Sequence, residues 1–579
     1  MIGASLPAAM PTHHTKIHLA AAEAVAARAG VAATDLKVEV PPRPELGDLA
    51  VGCFAIAKAQ SKSPAQVAKE LAEGFLPGDF LASATAAGPF VNFTLDRAAA
   101  FRWIVDACLS GTLLPGQLGT GKTICIDYSS PNISKHLAYH HIRGTSIGRA
   151  LVNIFRALGY TVVGINFLGD WGTTHGMVIA AYEKWGADEP LDVTKINDLY
   201  TRFRAAMKDN PAVEQEGRNA FKRLEDGDPT VRALWQRFRD ISWAEFEDVY
   251  NILGVKFEEV RGESAYEPDM PRVLAELAPF MTQSDGAQVV ELEGEKNPIL
   301  LKTKDGTTLY ATRDVAAAEY RWNTFHPTRS LYVVDRGQAT HFRMLFKLLK
   351  KAGHAWADCC EHVPYGLIRV AGKKTTSRLG GVVLMRDVFK IAEAEVREII
   401  ATVNPDLPAA IVDDVAPKIG IGAVVFANLA TQRDKDIDFD LEKAISLEGD
   451  SGPYVQYSHA RCASIARKAG ETITSIDGVD FTLLTHDAEW AVAKKLLDFP
   501  DIVVRAADNG EPHGLAHYLL SLASEFSRWY TLGNGDASLR VIVEGNPPLR
   551  HARLALVAAV QATLASGLGL LGIAAPQQM

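Results

Sequence analysis

Four basic side chains, Lys135, His136, His140 and His141, crowd the stretch SPNISKHLAYHHIRG. Groups of this kind suit phosphate oxygens. Lysine brings a point charge, imidazole donates hydrogen bonds, and the start of a helix adds aligned N–H groups. An apolar run from Thr123 to Ile126 precedes the stretch and ends at Asp127 and a Ser-Ser-Pro-Asn turn. Behind it Ile147, Leu151, Ile154, Phe155 and Leu158 recur at helical spacing, and a second apolar run, Thr161 to Ile165, ends at Asn166. This alternation predicts a βαβ unit whose polar residues gather where strands stop and a helix starts. Open α/β sheets place ligands there. The pattern predicts the nucleotide-binding half of an enzyme.

Two of these runs carry a more specific likeness. SPNISK, Ser130 to Lys135, and GDWGT, Gly169 to Thr173, resemble the arginyl-tRNA synthetase family of class I aminoacyl-tRNA synthetases. That family shows SPN-x-x-K leading into His-x-Gly-His, with Gly-Asp-Trp-Gly-Thr after the next strand. The resemblance implies an α/β protein built on a Rossmann-like parallel-sheet catalytic domain over 118–390, with a helical insertion at about 181–261. It implies an N-terminal mixed α/β domain over 1–112 that contacts the tRNA elbow, and an all-helical anticodon-binding domain over 404–579. The PELGD run, Pro44 to Asp48, and the strand-like AGPFVNFTL, Ala87 to Leu95, are similar to a Gly-Asp and a Gly-Phe-Ile-Asn-Phe of that N-terminal domain. The implied reaction is ATP-dependent activation of L-arginine and its transfer to the 3′ end of the cognate tRNA. ATP would arrive with Mg2+, and no permanently bound metal is expected.

Residue by residue, the likeness is imperfect. A gapless alignment puts Ala138 where the first signature histidine belongs, His140 at the signature glycine and His141 at the second histidine. VAGKKTTSRLGGVVL, Val370 to Leu384, resembles the KKMSxRxGxVV loop, with Lys374 as its first lysine, Ser377 in place of its last, and Arg378 following. Lys135 reads as the substitute for the missing charge. The implied catalytic set is therefore Lys135, His140, His141, Lys374 and Arg378, with Gly169 and Asp170 joining Lys135, His140, His141 and Lys374 at ATP. Phe167 stands where a histidine often precedes Gly-Asp-Trp.

The amino-acid site is carried by DGTTLYATRDVAAAEYR and LYVVDRGQATHFRMLF. Tyr310 and Asp314, four apart, can share one helix face. By themselves they read better as a core tyrosine and an acid at a helix start. The resemblance gives them the guanidinium of arginine, with Asp127, Asn132 and Gln338 completing the pocket and His341 alignable. In the C-terminal region YVQYSHAR is similar to the family's tRNA-binding run and implies Tyr457, His459 and Arg461 as tRNA contacts, while Leu571 to Met579 resembles the family's C-terminus.

Composition sets the outer limits. A chain of 579 residues suggests three or four domains. Its net charge of −9 argues against a basic nucleic-acid coat, yet leaves room for local positive patches. Six cysteines do not make a disulfide scaffold in a chain this long. Adjacent Cys359 and Cys360, with His354 and His362 nearby, are a poor zinc pattern. Neither a long uncharged apolar span nor a signal peptide is evident, so a cytoplasmic, membrane-free monomer is expected. The Ala138, His140 and Ser377 departures leave an alternative: a synthetase-like tRNA-binding or regulatory protein with weak or redirected activation.

Overall fold

The computed structural model describes residues 15–186, 190–303, 309–370 and 383–579. In the N-terminal part, the helix Lys16–Ala29 starts at Thr15, whose side chain accepts the His18 N–H. Strands β1 (Val38–Glu39), β2 (Leu49–Gly52), β3 (Leu81–Ala87) and β4 (Phe90–Leu95) form an antiparallel sheet of order β1-β2-β4-β3. The single strand expected over Ala87 to Leu95 is the end of β3, a turn and β4. Gly88 takes a φ of +58° there, which only glycine adopts without strain. Within LKVEV, Leu36 to Val40, only Val38–Glu39 pairs as β1.

The next strands are β5 (Thr123–Asp127), β6 (Thr161–Asn166), β7 (Glu259–Val260), β8 (Met281–Ser284), β9 (Ala287–Val290), β10 (Ile299–Lys302), β11 (Arg329–Asp335) and β12 (Cys360–Tyr365). Five of them build a wholly parallel sheet of order β12-β11-β5-β6-β7. The helix Ile142–Ala157 makes the crossover from β5 to β6, as the apolar periodicity predicts. Central β5 is covered on both faces, which is why it reads as a continuous apolar run. Register sets Asp127 beside Ile165 on one side and Tyr332 on the other, so the polar residues that end these strands share one edge of the sheet.

Between β6 and β7 the insertion folds as three helices, Val193–Asp209, Pro211–Glu225 and Pro229–Leu253. Its Trp235, Phe238 and Phe246 are buried, so they pack a core and present no base-stacking platform. Strands β13 (Ile368–Val370) and β14 (Ile437–Phe439) pair in parallel. From Met385 onward the chain is helical apart from β14. Its last helix, Pro547–Leu570, is long and apolar enough to cross a membrane by composition, against the expectation that no such span exists. It packs instead among the other helices, 67% of its most apolar window being buried. A Rossmann-like core flanked by a mixed N-terminal domain and a helical C-terminal one is the architecture expected.

Candidate active site

The loop after β5 is shaped by three serines. Ser129, Ser130 and Ser134 all have left-handed φ values, of 69°, 40° and 69°. Such backbone is sustained only when its surroundings hold it. Ser130 Oγ donates to Asp127 Oδ1 at 2.7 Å and accepts the Phe167 N–H at 3.0 Å. Ser129 Oγ contacts both Thr145 and Tyr250 hydroxyls, at 2.8 and 2.9 Å. The turn is thereby tied to β6 and to the insertion.

The basic cluster then divides. His136 turns away from the strand ends, with Nδ1 2.7 Å from Glu245 and Nε2 3.3 Å from Thr194, both in the insertion. Lys135 lies over the Tyr200 ring at 5.2 Å. The His140 and His141 rings lie with centroids 4.1 Å apart and planes tilted by 33°, in a short 3-10 turn that opens the helix Ile142–Ala157. His141 Nδ1 lies 3.0 Å from the Ala138 carbonyl. Burial, then the neighbouring His140 and Lys135, depress its pKa to about 4, so the ring is a neutral donor at pH 7. His140 is exposed and Ala138 buried.

Lys374 and Arg378, with Ser377, lie outside the described residues. The chain that flanks them meets the histidine turn. Tyr139 N donates to Val383 O at 2.8 Å and Met385 N to Leu137 O at 3.0 Å.

Gly169 and Asp170 organise the loop after β6. Asn132 and Gly169 form a parallel bridge, and a Cβ on Gly169 would lie 2.0 Å from Asn132 Oδ1, so the glycine is required for the approach. Asp170 is fully buried, with Oδ2 accepting Arg239 Nε at 3.1 Å and Ser264 Oγ at 2.9 Å, and Oδ1 accepting Ser264 N at 2.8 Å. Its carbonyl accepts Trp235 Nε1 at 2.7 Å. Both carboxylate oxygens are thus spent inside the protein, and the residue bolts the loop to the insertion. His175, which the sequence reading passed over, is buried at the start of the helix Thr173–Trp185, and burial lowers its pKa to about 4.

The residues expected at arginine fall into two groups. Asp314, Tyr310 and His341 converge: Asp314 Oδ2 is 2.6 Å from His341 Nε2, and the Tyr310 ring lies 4.6 Å from the imidazole. Tyr310 is 53% exposed, so its face is open to a ligand. Gln338 is exposed on the short turn that follows β11, just before His341. Asp127 stands apart, because its Oδ2 is paired at 2.7 Å with the buried guanidinium of Arg321 and its other oxygen is taken by Ser130. Beside the first group opens a cavity of about 890 Å³, lined by Trp171, Gly172, Glu263, Tyr310 and Arg313 among others. Glu263 Oε2 accepts Arg313 Nε at 2.9 Å. Burial pushes the Glu263 carboxyl up to about 7 against the pull of Arg313, and Asp314 adds to the rise. Nothing in the local sequence marks Glu263, Arg239 or Arg321, since each finds its partner 50 to 194 residues away.

Of the three residues expected at tRNA, two line a polar cavity. Arg461 sits 4.7 Å from the Tyr457 ring and 5.4 Å from that of Tyr530, in a cavity of about 280 Å³ that Arg467, Lys468 and Met579 also border. His459 does not join them. It is buried, with Nδ1 2.9 Å from the Pro576 carbonyl, and so anchors the C-terminal segment. The cysteine–histidine neighbourhood disperses as well. His354 faces Glu276 at 3.0 Å and Glu319 at 3.2 Å, while His362 lies 3.1 Å from the Val334 carbonyl.

Residues 104–441 match the model of the class I (R) tRNA synthetase catalytic domain, residues 455–579 the DALR anticodon binding domain, and residues 15–95 the arginyl tRNA synthetase N-terminal domain. An arginine–tRNA ligase of Exiguobacterium sp. is 42% identical over 94% of this chain and 95% of its own length. One from Clostridium perfringens is 40% identical over 94% and 96%. Among solved structures, the Thermus thermophilus arginyl-tRNA synthetase covers 97% of this chain and 100% of its own, with a TM-score of 0.81 at 27% identity. The chain belongs to the arginyl-tRNA synthetase family.

Proposed function

We propose that the chain is an arginine–tRNA ligase working in two steps at the shared strand edge. In the first, a carboxylate oxygen of arginine attacks the α-phosphorus of ATP, an O–P bond forms, the bond from the α-phosphorus to the bridging oxygen breaks, and pyrophosphate leaves with that electron pair. In the second, a ribose hydroxyl at the 3′ end of tRNA attacks the activated carbonyl, loses its proton and displaces AMP. The attacking carboxylate is already ionised, so no strong base is needed and catalysis is positioning plus charge stabilisation. The observation that carries the reading is the pairing of a basic turn at the end of β5 with the Tyr310–Asp314–His341 cluster after β10 and β11. One recognises phosphates, the other a cation.

Lys135, His140 and His141 supply donors to the phosphates, and Lys374 and Arg378 join them from the segment whose flanks meet the turn. The ATP phosphates bring Mg2+ as their counter-ion. Asp314 faces the arginine guanidinium, with Tyr310 alongside, and Gln338 and Asn132 serve the amino acid's polar end. Asp127 acts through Arg321. Tyr457 and Arg461 offer stacking faces and charge to a tRNA base, and the N-terminal domain meets the tRNA elbow. The enzyme works in the cytoplasm, where ATP and tRNA meet, and one chain supplies every side chain named.

A tRNA-binding or regulatory protein with weak activation is the competing reading, motivated by Ala138, His140 and Ser377. Pyrophosphate release and arginyl-tRNA formation, measured together with purified tRNA and each amino acid in turn, separate the two. Matched, arginine-specific signals in both assays are expected. Release without charging, or neither, would favour the alternative.

A further inference from the structure

The Gly47–Asp48 turn lies at the edge of the N-terminal sheet, where it faces the helical domain. Asp48 N donates to the Phe93 carbonyl at 2.8 Å, and its Oδ2 accepts the Leu95 N–H at 3.0 Å, so the residue is fixed to β4 through its main chain and its carboxylate. Gly47 makes this possible. It has a φ of +123°, and a Cβ there would lie 2.7 Å from the Phe93 oxygen. The other carboxylate oxygen leaves the domain: Oδ1 accepts Trp490 Nε1 at 2.9 Å and lies 3.5 Å from Lys494 Nζ. Both partners belong to the helix Asp487–Asn509 of the C-terminal domain.

Around this bond the contact is aromatic. Phe101 meets Trp490 edge-on at 5.3 Å and stacks with Phe481 at 6.5 Å. Arg97 pairs with Asp487 at 2.8 Å and lies 5.6 Å from the Trp490 ring. Apolar rings hold two surfaces together but are non-directional. A short hydrogen bond with a preferred angle sets their register.

We propose that Asp48 is a positioning residue for tRNA, setting the distance between the N-terminal sheet and the anticodon-binding helices so that one tRNA engages both. The proposal rests on the roles given above to those two domains. Two sites that bind one rigid ligand reinforce each other only when their spacing matches it. Loosening the bond therefore weakens tRNA capture and leaves the chemistry at the strand edge intact.

The test is steady-state charging by full-length Asp48→Ala, Trp490→Phe and the double variant. Trp490→Phe keeps an aromatic ring against Phe101 and deletes the donor together with part of the buried indole surface. Each single variant should raise the tRNA KM about tenfold while kcat and the KM values for ATP and arginine stay within about twofold. The double variant should be no worse than Asp48→Ala, which already removes the bond that Trp490→Phe deletes. Asp48→Asn keeps one acceptor for the two N–H donors of Trp490 and Leu95, so its tRNA KM should fall between those of Asp48→Ala and the wild type. An unchanged tRNA KM in folded Trp490→Phe, a fall in kcat instead, or additive effects in the double variant would overturn the proposal. Should Asp48→Ala fail to fold, Trp490→Phe and Asp48→Asn decide. Hydroxyl-radical footprinting of tRNA on the wild-type enzyme separates the premises. No elbow protection overturns the N-terminal domain's role and this proposal with it, whereas elbow protection with an unchanged KM overturns the proposal alone.

Discussion

Two carboxylates near the strand edge differ in what neutralises them. Asp127 faces a buried guanidinium at 2.7 Å, and a guanidinium does not give up its proton. Asp314 faces the His341 imidazole at 2.6 Å, beside the exposed ring of Tyr310. On the proposed reading Asp314 meets the substrate cation, while Asp127 orients Arg321. A charge-assisted hydrogen bond of this sort contributes roughly 1.5–3 kcal/mol. Asp314→Asn should raise the arginine KM about tenfold or more, with the ATP KM unchanged. Pyrophosphate exchange at varied arginine checks this, and an unaltered arginine KM and turnover would remove Asp314 from the pocket. The same contrast explains what spacing could and could not show. The four-residue spacing of Tyr310 and Asp314 is enough to align them on a helix, but His341, their common neighbour, comes from the next helix.

At the scale of elements, the loop after β6 is held by the insertion. Asp170 receives Arg239 from the helix Pro229–Leu253 and Ser264 from the turn after β7. Asp170→Asn would leave Arg239 without its counter-charge. The loss is about 1–3 kcal/mol of stability, because Arg239 remains partly solvated. Denaturant unfolding should show the loss while the ATP KM stays put. A raised ATP KM at unchanged stability would instead make Asp170 a nucleotide contact. The helix Gly452–Ala469 teaches a related lesson. Tyr457 and Arg461 are four apart and share a face, whereas His459 lies two residues from each and points elsewhere. That distinction is readable from spacing. What could not be read is the destination of His459, the Pro576 carbonyl 117 residues on.

For the whole molecule, buried histidines couple folding to acid. His141 and His175 have folded-state pKa values near 4, below the ordinary 6.5, because burial disfavours the charged ring. The unfolded chain binds the extra protons between those values, so the stability these rings contribute is full above pH 6.5 and is lost as pH falls toward 4. For His175 the whole effect is about 3 kcal/mol. Denaturant midpoints at pH 4 to 7 should fall with acid, and His175→Gln should flatten that slope. A slope identical to wild type would show that the ring is solvated. The sequence by itself determined the class of fold, the helical C-terminal third and the turn where Lys135, His140 and His141 gather, because apolar periodicity and signature runs are local properties. Tertiary structure alone decided which polar groups are already spent. Asp170 on Arg239, Asp127 on Arg321, His459 on Pro576 and Asp48 on Trp490 are pairs made across 65 residues or more. A buried polar atom must find a partner wherever the fold brings one, and no local pattern says where that is.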